Sequence, residues 1–287
     1  MMNSDRQASH SRLSAFCSHR IPKAVISHGA IYLSFFKYSL MREMIFKSNF
    51  LLWLIVEFLW FGLQLGFNSV LYQHTDSIGT WTKWEVVMLI GTSHLVQQLF
   101  QAVFLVNCSQ LSNLVQTGTL DFLMLLPKNT RFLVSLRHVD IGGFVSALSG
   151  LVVVLYAASQ LHLAPSGSQV VVYVFVCLAG VAMHYSLMFL MATVSFWTTR
   201  AQGLVMAYYN LFSVSRLPDV VLKKTYQTIF VLALPMLLVS NVPVKVLTSK
   251  LTSPFELWLL GALALGSCLV SQFVWAAGLR AYKSASS

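Results

Sequence analysis

Four ionisable side chains stand inside, or at the edge of, long apolar stretches of this sequence: Glu57, His94, Asp140 and His184. Burying a charge in hydrocarbon is costly, so groups of this kind face a bundle interior or a cavity, where they act as proton relays or substrate contacts. The plainer alternative is a neutral or paired group that fixes helix packing. The four fall on four separate stretches, and an unclustered set does not build a relay. They are candidate intramembrane polar contacts, and no residue is assigned a catalytic role. The chain has no G-x-x-x-x-G-K-[ST] phosphate loop, so it does not bind ATP in that way, and it has neither H-E-x-x-H nor G-x-S-x-G. Cys17, Cys108, Cys177 and Cys268 are scattered without metal-ligand spacing or a disulfide framework, and read as small apolar fillers.

What must position these groups follows from composition. Of 287 residues, 56% are hydrophobic and 10% charged, against about 25% charged in soluble domains. The apolar residues fall in long blocks, and a bilayer core of about 30 Å takes about 20 of them per helix. Helices are the open-chain solution in lipid, because every amide must be bonded within its own segment. The clear spans are Phe50–Leu71, Trp84–Val106, His138–Ser159, Val170–Trp197 and Phe255–Leu279. Trp53, Trp60, Trp81, Trp84, Trp197 and Trp258 lie mostly near span ends and suit aromatic belts.

The net charge of +10 reads as topology, not as a nucleic-acid face, because Lys and Arg avoid the apolar blocks and crowd particular connections. The segment to Asn49 carries Arg6, Arg12, Arg20, Lys23, Lys37, Arg42 and Lys47, the second-to-third connection carries Lys128, Arg131 and Arg137, and the tail carries Arg280 and Lys283. The first-to-second connection holds only Lys83, and residues 160–169 hold neither residue type. By the positive-inside rule, six crossings with both termini cytoplasmic fit this alternation. Residues 1–23 form a basic cytoplasmic tail without the apolar core of a signal peptide, and residues 24–287 one membrane domain. Residues 24–48 read as a helix lying at the interface.

Residues 198–254 admit two readings. Tyr226–Val244 would be the fifth span by charge, keeping Arg200, Arg216, Lys223 and Lys224 inside, but it contains Pro235 and Pro243. Alternatively, residues 201–217 form a short fifth span of about 25 Å, and 225–247 an outer re-entrant element.

The cytoplasmic connection 107–137 is the most informative. Leu111, Leu114 and Val115 recur at helical spacing, Gly118 is placed to end that turn, and Asp121 can cap a second helix, Phe122–Leu126, stopped by Pro127. Asn129 or Thr130 can open the next helix. An ordinary surface loop explains the glycine, aspartate and proline singly, but not the number of leucines, and an apolar cytoplasmic knuckle wants a partner. In the first span, Gly62 and Gly66 form a G-x-x-x-G pair that allows close helix approach.

The string Gly118-Thr119-Leu120-Asp121-Phe122-Leu123-Met124-Leu125-Leu126-Pro127 resembles the G-x-L-D-x-x-L-x-x-P motif of a bacterial permease family of the ABC type-2 class. Asn49–Trp53 with Glu57 is similar to that family's start of the first span, Asn241-Val242-Pro243 with Leu247 to its N-x-P element, and Gly278–Ala285 to its ending. Leu126 stands where the family commonly has arginine. The resemblance implies an all-α polytopic membrane protein with six transmembrane helices, working as the membrane subunit of an ATP-driven exporter in the bacterial inner membrane. It implies a second permease chain, identical or paralogous, and two copies of a separate ATPase that holds ATP and Mg. The second-to-third connection would then contain a coupling helix, with Leu111, Leu114, Val115, Gly118, Leu120, Asp121, Leu123 and Pro127 as ATPase-coupling residues. This chain itself would need no cofactor or metal. A secondary transporter or channel without an ATPase is the alternative, disfavoured because clustered intramembrane charges are missing.

Overall fold

The computed structural model describes residues 28–75, 77–198, 201–222, 230–231, 235–251 and 253–282. The described residues divide into two units between Ser34 and Phe35. The predicted tail 1–23 lies outside the described residues, as do Lys223 and Lys224. Helix α1 (His28–Ile45) falls within the predicted interfacial helix. Phe46 (φ −109°, ψ 51°) interrupts the chain before α2 (Lys47–Leu71), the first span.

The second span opens from a two-stranded hairpin, β1 (Ser77–Ile78) and β2 (Trp81–Thr82), turned by Gly79 at φ 62°. Thr82 and Glu85 then make a capping box that starts α3 (Lys83–Phe100). The helix does not stop at the predicted Val106. A π-helical segment, Gln101–Leu105, leads directly into α4 (Val106–Gln116), making 34 continuous residues, or about 51 Å. That exceeds the hydrocarbon core, so the leucines expected in a separate loop helix sit on an extension of the span. The π-turn shifts the carbonyl ladder, and the amide of Asp140 donates to the oxygen of Ala102 at 2.7 Å.

Gly118 adopts φ +70°, where a side chain would be strained, and the chain turns into α5 (Leu120–Met124). Asn129 caps α6 (Thr130–Leu136), its side chain accepting from the amides of Arg131 and Phe132. Three spans follow the expected order: α7 (Ile141–Gln160), α8 (Gly167–Thr193) and, last in the chain, α11 (Phe255–Ala281). Ser166 opens α8 with a second capping box.

Between α8 and α11, the structure favours the second reading of 198–254. Helix α9 (Ala201–Leu211) runs into a 3-10 segment, Phe212–Arg216, together about 26 Å long. It starts beside α4, at the end of the bundle carrying the 107–137 loop, and leads to Asp219, which accepts the indole N–H of Trp81 at the hairpin end. Helix α10 (Met236–Leu247) begins only after Pro235, whose ψ of 45° is not helical. A straight span over 226–244 is therefore broken, and twelve residues, about 18 Å, are too short to cross. Its buried Val239 fits against Gly180 of α8, and its far end reaches, through Lys245, the Asp219 that accepts the Trp81 indole.

Helix α3 is the axis of the bundle, with fourteen of eighteen residues buried, whereas α2 buries only Phe61 and Asn68. The close approach comes from glycines that no sequence motif marks. A Cβ on Gly150 of α7 would lie 2.9 Å from the Gly91 oxygen and the Leu95 amide nitrogen, and one on Gly143 would lie 2.9 Å from the Ala102 backbone. Gly62 and Gly66 meet nothing within 4 Å. The Gly62/Gly66 pair therefore packs against no helix among the described residues.

Candidate functional sites: the loop knuckle and a membrane-level groove

At the loop end, the predicted coupling residues divide. Leu111, Val115 and Leu120 are buried in the chain's own core, with Leu114 and Leu123 packed against it. The expectation that Leu120 offers a seat to a partner is therefore corrected, because its side chain is fully enclosed. The helix also begins two residues earlier than predicted, at Leu120, and ends at Met124 instead of Leu126. Asp121 thus occupies the first turn, not the cap position, where its charge still favours the helix N-terminus. The apolar surface is supplied by Phe122, Met124, Leu125 and Leu126, with Phe122 70% and Leu125 80% exposed. Pro127 follows on the same exposed edge.

Behind this knuckle stands Arg131, which the sequence offered only as a topology charge. Its guanidinium donates to Tyr185 Oη (3.2 Å), Ser271 Oγ (3.0 Å) and the Gln272 side chain, and lies 4.7 Å from the Phe189 ring centre. One side chain on α6 therefore grips α8 and α11 together. Asn107 holds the other flank, donating to Val103 and His138 carbonyls and accepting from the His138 amide. Burial, and then the charges of Arg137 and Arg42, hold the His138 imidazole below its ordinary range. Asp140, predicted as an intramembrane contact, is the N-cap of α7, accepting from the Gly143 amide at 3.3 Å. Burial raises its carboxyl above the usual range against the pull of its hydrogen bonds.

The remaining three polar candidates separate into packing and groove. His184 is enclosed, with Nδ1 2.9 Å from Tyr208 Oη and its ring stacked on Phe212. It fixes α8 against α9. His94 stacks on Phe61 at 3.8 Å and lies 3.4 Å from Ser149 Oγ. Glu57 accepts from Gln98 Nε2 at 3.0 Å. Glu57 and His94 border one cavity of about 380 Å³ between α2, α3 and the 201–216 segment, with Gln97, Gln98, Tyr209 and Arg216 on its walls. Sequence spacing could not bring Glu57 and Arg216 together, since 159 positions separate them (216 minus 57). The missed signal was Gln97, Gln98 and Gln101 in an otherwise apolar span. Tyr209 donates to Gln101 at 2.9 Å and Arg216 to Gln97.

Among the described residues no cluster of His, Cys, Asp or Glu could hold a metal ion. Residues 58–286 match a family described as ABC-2 family transporter protein. No curated protein and no solved structure matches the chain.

Proposed function

We propose, on the premise that this chain belongs to the ABC-2 family of transporter proteins, that it is a permease subunit driven by a separately encoded ATPase to export its substrate. The chain is a multi-pass membrane protein and a transport subunit. It has no phosphate loop of its own, so work must arrive through a physical contact. The observation that carries the reading is the exposed apolar knuckle of α5, fixed through α6 to two spans by Arg131. An exposed patch of Phe122, Met124, Leu125 and Leu126 in an otherwise short loop is a docking surface. Displacing it would pull α8 and α11 through the guanidinium, which is a route from nucleotide-driven closure to the spans.

In this reading the loop end is cytoplasmic, as are both termini, and the hairpin end faces outward across a bacterial inner membrane. Two ATPase copies bind ATP and Mg, and a second permease chain covers the unburied face of α2, where Gly62 and Gly66 leave a flat strip.

The test substitutes Leu125→Asp and, separately, Arg131→Gln in the full chain and measures co-purification of the ATPase subunit. Leu125→Asp should remove the ATPase. Arg131→Gln should keep it bound and lose stimulation of ATP hydrolysis by the permease. Normal ATPase association of Leu125→Asp would remove the knuckle from the interface.

A further inference from the structure

The groove carries an unbalanced set of polar atoms. Arg216 uses Nη2 on Gln97, and its Nε–H is buried without an acceptor. Gln98, 4% exposed, uses its amide nitrogen on Glu57 and leaves Oε1 buried without a donor. Glu57 and Arg216 border the same cavity, yet no ion pair joins them. A buried donor and a buried acceptor left open are costly and rare in native structures. Arg216 and Gln98 both line this space, with the Phe61–His94 stack as an apolar wall and Trp60 at the mouth. The volume of about 380 Å³ is in the range of small-molecule sites.

We propose that this groove binds a zwitterion, its anionic group on the Arg216 guanidinium and its primary ammonium on the Glu57 carboxylate. Neither charge of the ligand is then left bare in the membrane. The inference rests on the permease reading and names the chemical class that passes through or regulates it. A lone anion would satisfy Arg216 and be repelled by Glu57, and a lone cation the reverse. The same chemistry exists in the headgroup of phosphatidylethanolamine and in free phosphoethanolamine.

The experiment uses the purified full chain in mixed phosphatidylethanolamine/phosphatidylglycerol nanodiscs, with retained lipid read by native mass spectrometry after release. Phosphatidylethanolamine should be retained about tenfold over phosphatidylglycerol. Glu57→Gln should remove that preference. Arg216→Lys, which keeps the cation and guards against a folding defect, should lower retention several-fold. Displacement by phosphoethanolamine assigns the site to a free zwitterion; retention against it assigns the site to the lipid. Equal retention of both lipids, or unchanged retention in both variants, overturns the proposal. ATPase co-purification is followed on the same preparations: zwitterion selectivity lost with the ATPase bound sinks only the groove, whereas a wild-type chain that never binds the ATPase sinks the permease reading.

Discussion

Two polar regions of the bundle use similar residues and neutralise them differently. At the hairpin end, Lys245 meets Asp219 at 2.6 Å and Glu256 at 3.1 Å, and Lys250 meets Glu85 at 2.7 Å. Asp219 also takes the Trp81 indole, its amide donates to Asn241 Oδ1, and Asn241 Nδ2 reaches the Leu217 carbonyl. In the groove, Arg216 and Glu57 remain apart and two buried atoms have no partner. The cap holds a short helix, broken by proline, against the ends of its neighbours. The groove ties the 201–216 segment to the second span through Tyr209 and Arg216, yet leaves its own charges unpaired. A satisfied network is therefore structure, and an unsatisfied one points to a ligand.

Breaking the cap is expected to have the largest effect. Lys245→Met leaves Asp219 and Glu256 part-buried side by side, and removing one member of a buried pair costs about 3–5 kcal/mol. Partial exposure, with side chains at 16%, 17% and 27%, brings the expectation to about 2–3 kcal/mol, read as a lowered Tm in detergent. Adding Asp219→Asn and Glu256→Gln to the same chain should recover most of it. The pH profile carries the same signature. Burial alone would lower the Lys245 ammonium, but the hydrogen bond and charge of Asp219, with those of Glu256, outweigh it and raise the pKa. A raised lysine pKa stabilises the fold below the unfolded value of about 10.4, and that contribution is lost as pH climbs through the folded value. Lys245→Met should therefore lower Tm equally at pH 7 and pH 9. A difference that vanished by pH 9 would contradict the pairing.

The glycines separate what was legible in the sequence from what was not. Block hydropathy specified the spans, because lipid imposes the same demand on every crossing, and Gly118 and Asn129 could be placed because turn and cap chemistry is local. The G-x-x-x-G spacing of Gly62 and Gly66 marked a flat helix face but could not say which helix it meets, and among the described residues it meets none. The working seam, Gly91 and Ala102 against Gly150 and Gly143, depends on the crossing of α3 and α7, which spacing on one helix does not encode. Trp81, expected in an aromatic belt, is 4% exposed and donates to Asp219, a partner 138 positions away. The π-segment is equally tertiary, since it coincides with the Asp140 amide reaching Ala102. Gly150→Ala should therefore cost about 1–3 kcal/mol through forced separation of α3 and α7. In the monomeric chain, Gly62→Ala should be neutral or gain up to about 1 kcal/mol from helix propensity. Equal Tm changes in the two variants would dissolve the seam.

The smallest stability effect belongs to the groove, and it decides the comparison. Arg216→Met removes a cation that has one hydrogen bond to Gln97 and a buried Nε–H with no acceptor. The desolvation of that cation is already a cost to the empty fold, and apolar replacement of incompletely paired buried charge is often neutral or stabilising. Against it stand the lost Gln97 contact and the attraction of Glu57 across the cavity. We expect Tm to stay within the equivalent of about 1 kcal/mol of wild type, in contrast to Lys245→Met, while zwitterion retention disappears. Such a trade of stability for function is what a binding group carries. The measurement is a paired melt of both variants in the same detergent. A fall for Arg216→Met as deep as that for Lys245→Met would make the groove cation a structural element like the cap, and the distinction between the two regions would be lost.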